Sequence, residues 1–416
     1  MRKAAAMFLM LAVVCPAVFP LRADEPKKTA EITADPGLKL IEDTGFGNPN
    51  NVGMGRLESI GGYLYVGTWN PRQGGILYRS RDLRHWSQIN QPGFGNKNSF
   101  TIQYIIPFRD QLYVSCWNFK NGGALYRANV DVADGDITWQ TITTNGMGDR
   151  GNQAFTHMHV YKGHLYGGCF NLLTGPEVWR SATGDPDSWE QVNQDSWGDP
   201  RNSDATMTFE HGGYLYMGTE SARAYNRIGC QLLRTDGKLS PPYDQWEQVN
   251  PDGFGNPKNH NIYGLGMLRG KMYAATWNWT QGVEVWRATP EGELPFKDWE
   301  KVSENGFGNP DTITTTRMLV LDETIYIASL GKFTLQGSWF SPDAKLKSSN
   351  GAAFVKSSDG ETWTQITKPG FMEFPMIGIM WMCIHEGKIY LAGHAVHRPC
   401  QLWEYDPRPA RPEKAE

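Results

Sequence analysis

A phrase repeated seven times constrains this chain more than its size or composition does. A strand-like run ends in Leu-Tyr or Ile-Tyr, followed closely by a small residue and then by Trp-Asn or a variant. It appears as Tyr65-Val66-Gly67-Thr68-Trp69-Asn70 and as Tyr113-Val114-Ser115-Cys116-Trp117-Asn118, and returns at Tyr166, Tyr216, Tyr273, Tyr326 and Tyr390. The mean spacing is about 54 residues, a blade-like period that overrules the division into domains that length alone suggests.

Each copy has the same grammar. A mostly apolar strand such as Thr101 to Phe108 leads through a turn to the Tyr strand. A third strand carries Leu-Tyr-Arg or Val-Trp-Arg (Leu77-Tyr78-Arg79, Val178-Trp179-Arg180), and a fourth begins at Trp86, Trp139, Trp189, Trp246, Trp299 or Trp363. Short aromatic and β-branched strands punctuated by Gly and Asn predict an all-β array without sustained helical periodicity. The seventh copy stops after Gln401-Leu402-Trp403 without a fourth strand. Leu38 to Ile41, followed by Gly45-Phe46-Gly47-Asn48, matches Trp246 to Val249 followed by Gly253-Phe254-Gly255-Asn256. The expected fold is therefore a seven-bladed β-propeller of four-stranded blades over residues 37–407, closed by its N-terminal strand, which removes an open sheet edge.

The ends carry different signals. Arg2 and Lys3, the apolar run from Ala4 to Phe19 and Leu21-Arg22-Ala23 read as a signal peptide over residues 1–23. A linker at 24–36 and a tail at 408–416 flank the repeats, and the expected location is secreted or periplasmic. No later stretch is long and apolar enough to predict a membrane span. The formal net charge is -4, with both signs scattered; the lack of a basic stripe argues against nucleic acid, and a monomer is expected. Cys116, Cys169, Cys230, Cys383 and Cys400 are too sparse for a disulfide framework and are expected to be free, buried thiols.

Gly-Phe-Gly-Asn recurs at 45–48, 93–96, 253–256 and 306–309, between the fourth strand of one repeat and the first of the next. Recurrence marks it as architecture: flexible glycines and an aromatic plug between blades. Ser357-Ser358-Asp359-Gly360-Glu361-Thr362-Trp363 resembles the Asp box of sialidase-like propellers, and Ser80-Arg81-Asp82-Leu83-Arg84-His85-Trp86 is a partial copy. That resemblance implies a propeller and names no chemistry, since such boxes lie on the face away from the active site. The arginine-containing first-blade motif of sialidases is not matched.

Candidate chemistry lies where the repeats differ. Nine residues before each Tyr stand Arg56, Tyr104, His157, Met207, Gly264, Arg317 and Trp381. A varied, polar column at one level of the shaft suits an anionic group: Arg56 and Arg317 for a carboxylate, His157 or Tyr104 for proton transfer. The structural alternative pairs Arg56 with Glu58. His157 and His159 share one face of a strand at a spacing that can hold a divalent metal, with His394 and His397 as possible completing ligands. Glu220 replaces the Trp of other repeats; it is a candidate acid or base with Asp204, or an ion-pair partner of Arg223, with Arg227 nearby. Trp69, Trp117 and Trp277, with Phe170, offer flat apolar faces for sugar rings or simply pack between blades. In repeat six, Gly331 to Asn350, carrying Lys332, Trp339, Phe340, Lys345 and Lys347, is an enlarged loop placed to act as a lid.

The expected function is binding of an acidic poly- or oligosaccharide at the mouth of the channel. Architecture and residue types resemble seven-bladed polysaccharide lyases, which implies β-elimination with Arg56, Arg317, His157 and Tyr104 in those roles; Trp381, His394 and Arg223 would line the site. A glycoside hydrolase using Glu220 and Asp204, and a non-catalytic glycan- or protein-binding module, are the alternatives.

Overall fold

The computed structural model describes residues 37–221, 229–338, 341–368, 371–396 and 398–408. Within them the protein is all-β, interrupted only by short 3₁₀ turns. The signal peptide, linker, Arg223, Arg227, Trp339, Phe340, His397 and the tail beyond residue 408 lie outside the described residues.

Repeat one shows the local rule. Gly53–Ile60, Tyr63–Trp69, Leu77–Ser80 and Ser87–Gln88 pair antiparallel in that order. Its second strand is buried from Leu64 to Trp69, because a sheet packed on both faces needs apolar residues at both phases of the alternation. Later repeats follow the same order. Their first strands pack side by side, from Gly53–Ile60 through Thr101–Phe108, Ala154–Tyr161, Asp204–His211, Asn261–Leu268 and Thr312–Leu321 to Met376–His385, and this last strand packs back against Gly53–Ile60. The N-terminal strand Leu38–Glu42 pairs antiparallel with Gln401–Tyr405, setting Lys39 opposite Glu404 and Leu40 opposite Trp403.

The small residue after each Tyr has a steric cause. A Cβ on Gly67 would stand 2.5 Å from Cγ2 of Ile102, and one on Gly168 would stand 2.5 Å from Cβ of Ala205. In each case the obstacle is the first strand of the next repeat, so the small residue sets how closely neighbouring sheets approach.

Recurring polar and aromatic residues stitch these sheets together. Phe94 stacks on Tyr126 at 4.0 Å and meets Trp139 edge-on at 5.0 Å. Phe254 makes the same contacts with Trp286 and Trp299, so the Phe of each such loop plugs onto the following repeat. The backbone of Phe94 itself takes a left-handed φ of 54°, which a non-glycine residue holds only when packing fixes it. The indoles of Trp139, Trp246, Trp299 and Trp363 each donate to a backbone carbonyl of the preceding repeat, at 2.7–2.9 Å. Arg79, fully buried, donates to the Tyr65 hydroxyl and to the carbonyls of Val130 and Val132 in repeat two. In repeat seven Glu404 stands at this place and accepts from the Tyr390 hydroxyl at 2.6 Å and from Lys388 at 2.8 Å. The Asp-box turn is formed: Asp359 accepts the backbone N–H groups of Glu361 and Thr362, and Asp82 does the same for Arg84 and His85. Among the described residues Cys116, Cys169, Cys230, Cys383 and Cys400 are buried and free.

The close approach at Gly168 is testable. Gly168→Val must push against Ala205, and overpacking of this kind destabilises by roughly 1–3 kcal/mol. Urea denaturation should show that loss; unchanged stability would mean that neighbouring sheets are not in contact there.

Candidate functional site

An irregularity in the first strand of every repeat points residues at the axis. The pairing register slips between Met54 and Arg56, Ile102 and Tyr104, Phe155 and His157, Ile262 and Tyr263–Gly264, Thr315 and Arg317, and Ile379 and Trp381; in repeat four the slip spans Thr206 and Met207. A bulge breaks the alternation of faces and re-aims the next side chain. Opposite the bulged segment the partner strand offers small residues: Gly67 faces Arg56, Gly168 faces His157 and Ala328 faces Arg317.

The re-aimed side chains meet. The Arg56 guanidinium lies 3.4 Å from the ring centroid of Tyr104 on one side and 4.0 Å from that of Trp381 on the other. Arg317 lies 4.6 Å from the Trp381 ring, so ring, guanidinium, ring and guanidinium follow one another from repeat two through repeats one and seven to repeat six. Such cation–π stacking gains strength when desolvated. Arg317 reaches past repeat five to the Met207 sulfur at 3.5 Å. Gly264 of repeat five is itself closely packed, since a Cβ there would stand 2.9 Å from Cβ of Ala275, 3.1 Å from Thr315 and 3.2 Å from Met318.

His157 is 1% exposed and packs edge-on against Tyr104 at 5.4 Å and Tyr263 at 5.5 Å, with Trp381 at 5.9 Å. Burial, reinforced by the positive charges of Arg56 and Arg317, pushes its imidazole well below the usual histidine range, so it is neutral near pH 7. Burial and the adjacent Arg56 also lower Arg317 from the ordinary arginine value. Many buried polar atoms here have no hydrogen-bond partner: Nε and Nη1 of Arg56, both ring nitrogens of His157, Nε of Arg317, the Trp381 indole, the Thr315 hydroxyl and both amide atoms of Asn261. Buried polar groups are normally satisfied, and a cluster that is not marks a site for a polar guest.

The carboxyl pair takes shape on the other side of the shaft. Asp204 stands directly opposite Glu220 across the strands, and Glu220 in turn opposite Asn261; register partners present their side chains to one face. Asp204 is 1% exposed, bonded to the Thr156 hydroxyl at 2.6 Å and accepting from Tyr263 at 3.4 Å. Burial, then the nearby Glu220, push its carboxyl well above the usual carboxylate range. Tyr263, stacked on Trp277 at 5.0 Å, is raised by burial and these acids. Sequence reading missed Tyr263: Gly264 occupies its aligned position, and the bulge hands the axial role to the preceding residue.

Other candidates sit differently. Trp69 and Trp117 are 4% and 8% exposed and form one packed cluster with Phe100 and Phe170. Their rings pack between repeats, the structural reading of the two that the sequence offers. Trp277 is half-buried and donates its indole N–H to the Thr315 carbonyl. The Asn side chains of the Trp-Asn phrase cap their own loops: Asn70 and Asn118 each accept backbone N–H groups two and three residues on. His394 packs edge-on to Trp69 at 4.8 Å, and burial lowers its imidazole to about 3. His159 lies 3.7 Å from Glu210. Among the described residues no group of three or more His, Cys, Asp or Glu side chains is placed to hold a metal. The ion pair of Arg56 with Glu58 is present.

The enlarged loop of repeat six forms a hairpin, Phe333–Gln336 against Lys345–Ser349. Phe333 meets Trp279 of repeat five at 5.8 Å, and Arg72 of repeat one donates to the Pro342 carbonyl at 3.1 Å. A cavity of about 260 Å³ lies between Pro342, Arg72 and His394. A second, of about 310 Å³, is lined by Met207, Phe209, Leu265, Met267, Arg317 and Leu319, and so opens on the axial arginine from the later halves of three first strands.

No family model matches the chain, and no curated protein matches it. Solved structures similar to it include a putative 6-phosphogluconolactonase from Bacteroides fragilis, at 12% identity and TM-score 0.49, covering 83% of this chain and 88% of that one. The β-propeller domain of the Trilobed protease from Pyrococcus furiosus is similar at 7% identity and TM-score 0.47, covering 85% and 95%. The GH93 α-L-arabinofuranosidase of Fusarium graminearum, solved with arabinobiose, is similar at 12% identity and TM-score 0.42, covering 68% and 90%. Likenesses this distant assign no activity.

The state of His157 predicts a pH effect. Its folded value is depressed, so the unfolded chain takes up a proton below about pH 6.5 that the folded shaft refuses, and stability falls as pH drops through that point. His394 and His385 add to the same slope. His157→Leu should remove up to about 1.4 kcal/mol per pH unit of it, measured by urea denaturation from about pH 7 down to about pH 5. An unchanged slope would show that this imidazole protonates in the folded protein.

Proposed function

We propose that this chain is an exported seven-bladed β-propeller, closed by its N-terminal strand, that binds an acidic sugar unit on its axis. The pairing of Leu40 with Trp403 and the packing of Met376–His385 against Gly53–Ile60 support the closed ring. The observation that carries the function is the axial stack of Arg56 and Arg317 on Trp381, beside a buried, neutral His157 whose ring nitrogens have no partner. Guanidinium groups held by aromatic faces keep their in-plane N–H donors available for a carboxylate. The apolar walls fit the C–H faces of a sugar ring.

In a β-elimination Arg317 pairs with the uronate carboxylate, and the Nε and Nη1 donors of Arg56, left open by its ion pair with Glu58, help to stabilise the charge that develops beside it. Neutral His157 takes the proton from the carbon next to that carboxylate. The bond from the neighbouring carbon to the glycosidic oxygen breaks as the ring double bond forms, and Tyr104 returns a proton to the leaving oxygen. The alternative, hydrolysis, is favoured by one observation: Asp204, its carboxyl raised, stands in register with Glu220, so two carboxyl groups are brought together on one strand pair.

Wild-type protein incubated with a panel of uronate polysaccharides separates these readings. Elimination gives an unsaturated sugar that absorbs in the far ultraviolet, whereas hydrolysis gives reducing ends without it. Arg317→Ala should weaken uronate binding about tenfold or more, and His157→Ala should abolish turnover while sparing binding. Wild type that binds no uronate, in calorimetry across the panel, contradicts the proposal.

A further inference from the structure

The two axial arginines are not equivalent. Arg56, its side chain 3% exposed, is ion-paired with Glu58, whose side chain is 25% exposed and therefore water-accessible. Arg317 has no carboxylate partner among the described residues; its named contacts are the Met207 sulfur and the face of Trp381. His157, packed against Tyr104 and Trp381, carries no charge near neutrality. Asp204 is turned to Thr156 and Tyr263. On the arginine wall Arg56 with Glu58 thus sums to zero at contact distance, and the guanidinium of Arg317, which Glu58 reaches only at longer range, is the charge left on that wall for a ligand to match, across from Asp204 and Glu220. Where side chains are this buried a charge without a counterpart is costly, so the sum constrains the guest more tightly than it would at an exposed surface.

Building on the reading of this shaft as an anion site, we infer that Glu58 sets the charge of the ligand. By neutralising Arg56 it leaves one cation to be satisfied, so the shaft accepts a sugar bearing a single negative charge, such as a uronate, and rejects a doubly charged phosphomonoester. Glu58 is a specificity residue that acts through Arg56 and need not touch the sugar. A carboxylate suits the remaining guanidinium further, since its two oxygens match the planar donor fork.

Three hexoses of matched size test this: glucuronate, glucose 6-sulfate and glucose 6-phosphate. The first two carry about one negative charge and the last about two near pH 7.5. Calorimetry on the full chain should show wild type binding the two monoanions at least about tenfold more tightly than the phosphate. Glu58→Gln, nearly the same size, frees Arg56 and should raise phosphate affinity about tenfold or more, while Glu58→Asp keeps the wild-type preference. Thermal unfolding of both variants checks that the fold is retained. Wild type that binds glucose 6-phosphate as well as glucuronate overturns the inference and leaves the anion site standing, as does an unchanged preference in folded Glu58→Gln. Wild type that binds none of the three overturns both readings.

Discussion

A slip in the first strand of every repeat decides what the axis of this protein presents. In a regular strand, side chains alternate between the two faces of a sheet, and both faces here pack against neighbouring sheets. The bulge interrupts that alternation at one level, so Arg56, Tyr104 and His157 leave the packed faces and turn inward. Small residues opposite the bulged segments, such as Gly67 and Gly168, bring the next sheet close enough for side chains from different repeats to touch. The axial contacts therefore depend on backbone geometry laid down by the repeat itself.

Once inward, the side chains solve a shared problem. Two buried guanidinium groups, both stacked on Trp381, repel each other and lose solvation. Tyr104 and Trp381 offset part of that cost through their electron-rich faces, and Glu58 cancels one charge. His157 offsets it differently, by staying neutral. What remains is a set of fixed, unsatisfied donors beside apolar walls, an arrangement suited to a polar guest. Asp204, Tyr263 and Glu220 give the opposite wall an acidic character, so a guest would meet donors on one side and acceptors on the other.

Much of the architecture was legible in the sequence because repetition exposes it. The fourth strand absent after Trp403 could be sought at the other terminus, and Leu40 pairs where the motif match placed it. The plugging role of Phe94 and Phe254 followed from its recurrence between strands. Alignment on the Tyr column found Arg56, His157 and Arg317 because repeats reveal their exceptions. Other features were hidden for physical reasons. A tryptophan beside an asparagine reads alike whether it stacks on a sugar or on a neighbouring blade, and only burial assigns Trp69 and Trp117 to packing. Tyr263 escaped because a bulge shifts phase by one residue, which column alignment cannot register. The sequence already set Asp204 beside Glu220 as a candidate pair, and the strands hold them in register, but the places of Thr156 and Asn261 beside it depend on contacts between repeats that no spacing encodes.

The most direct test is a crystal structure of the protein soaked with glucuronate. The account predicts the sugar on the axis, with its carboxylate hydrogen-bonded to Arg317 and its ring against Trp381 and His157. A sugar found only beneath the repeat-six hairpin near Arg72, with the axial donors untouched, would contradict it.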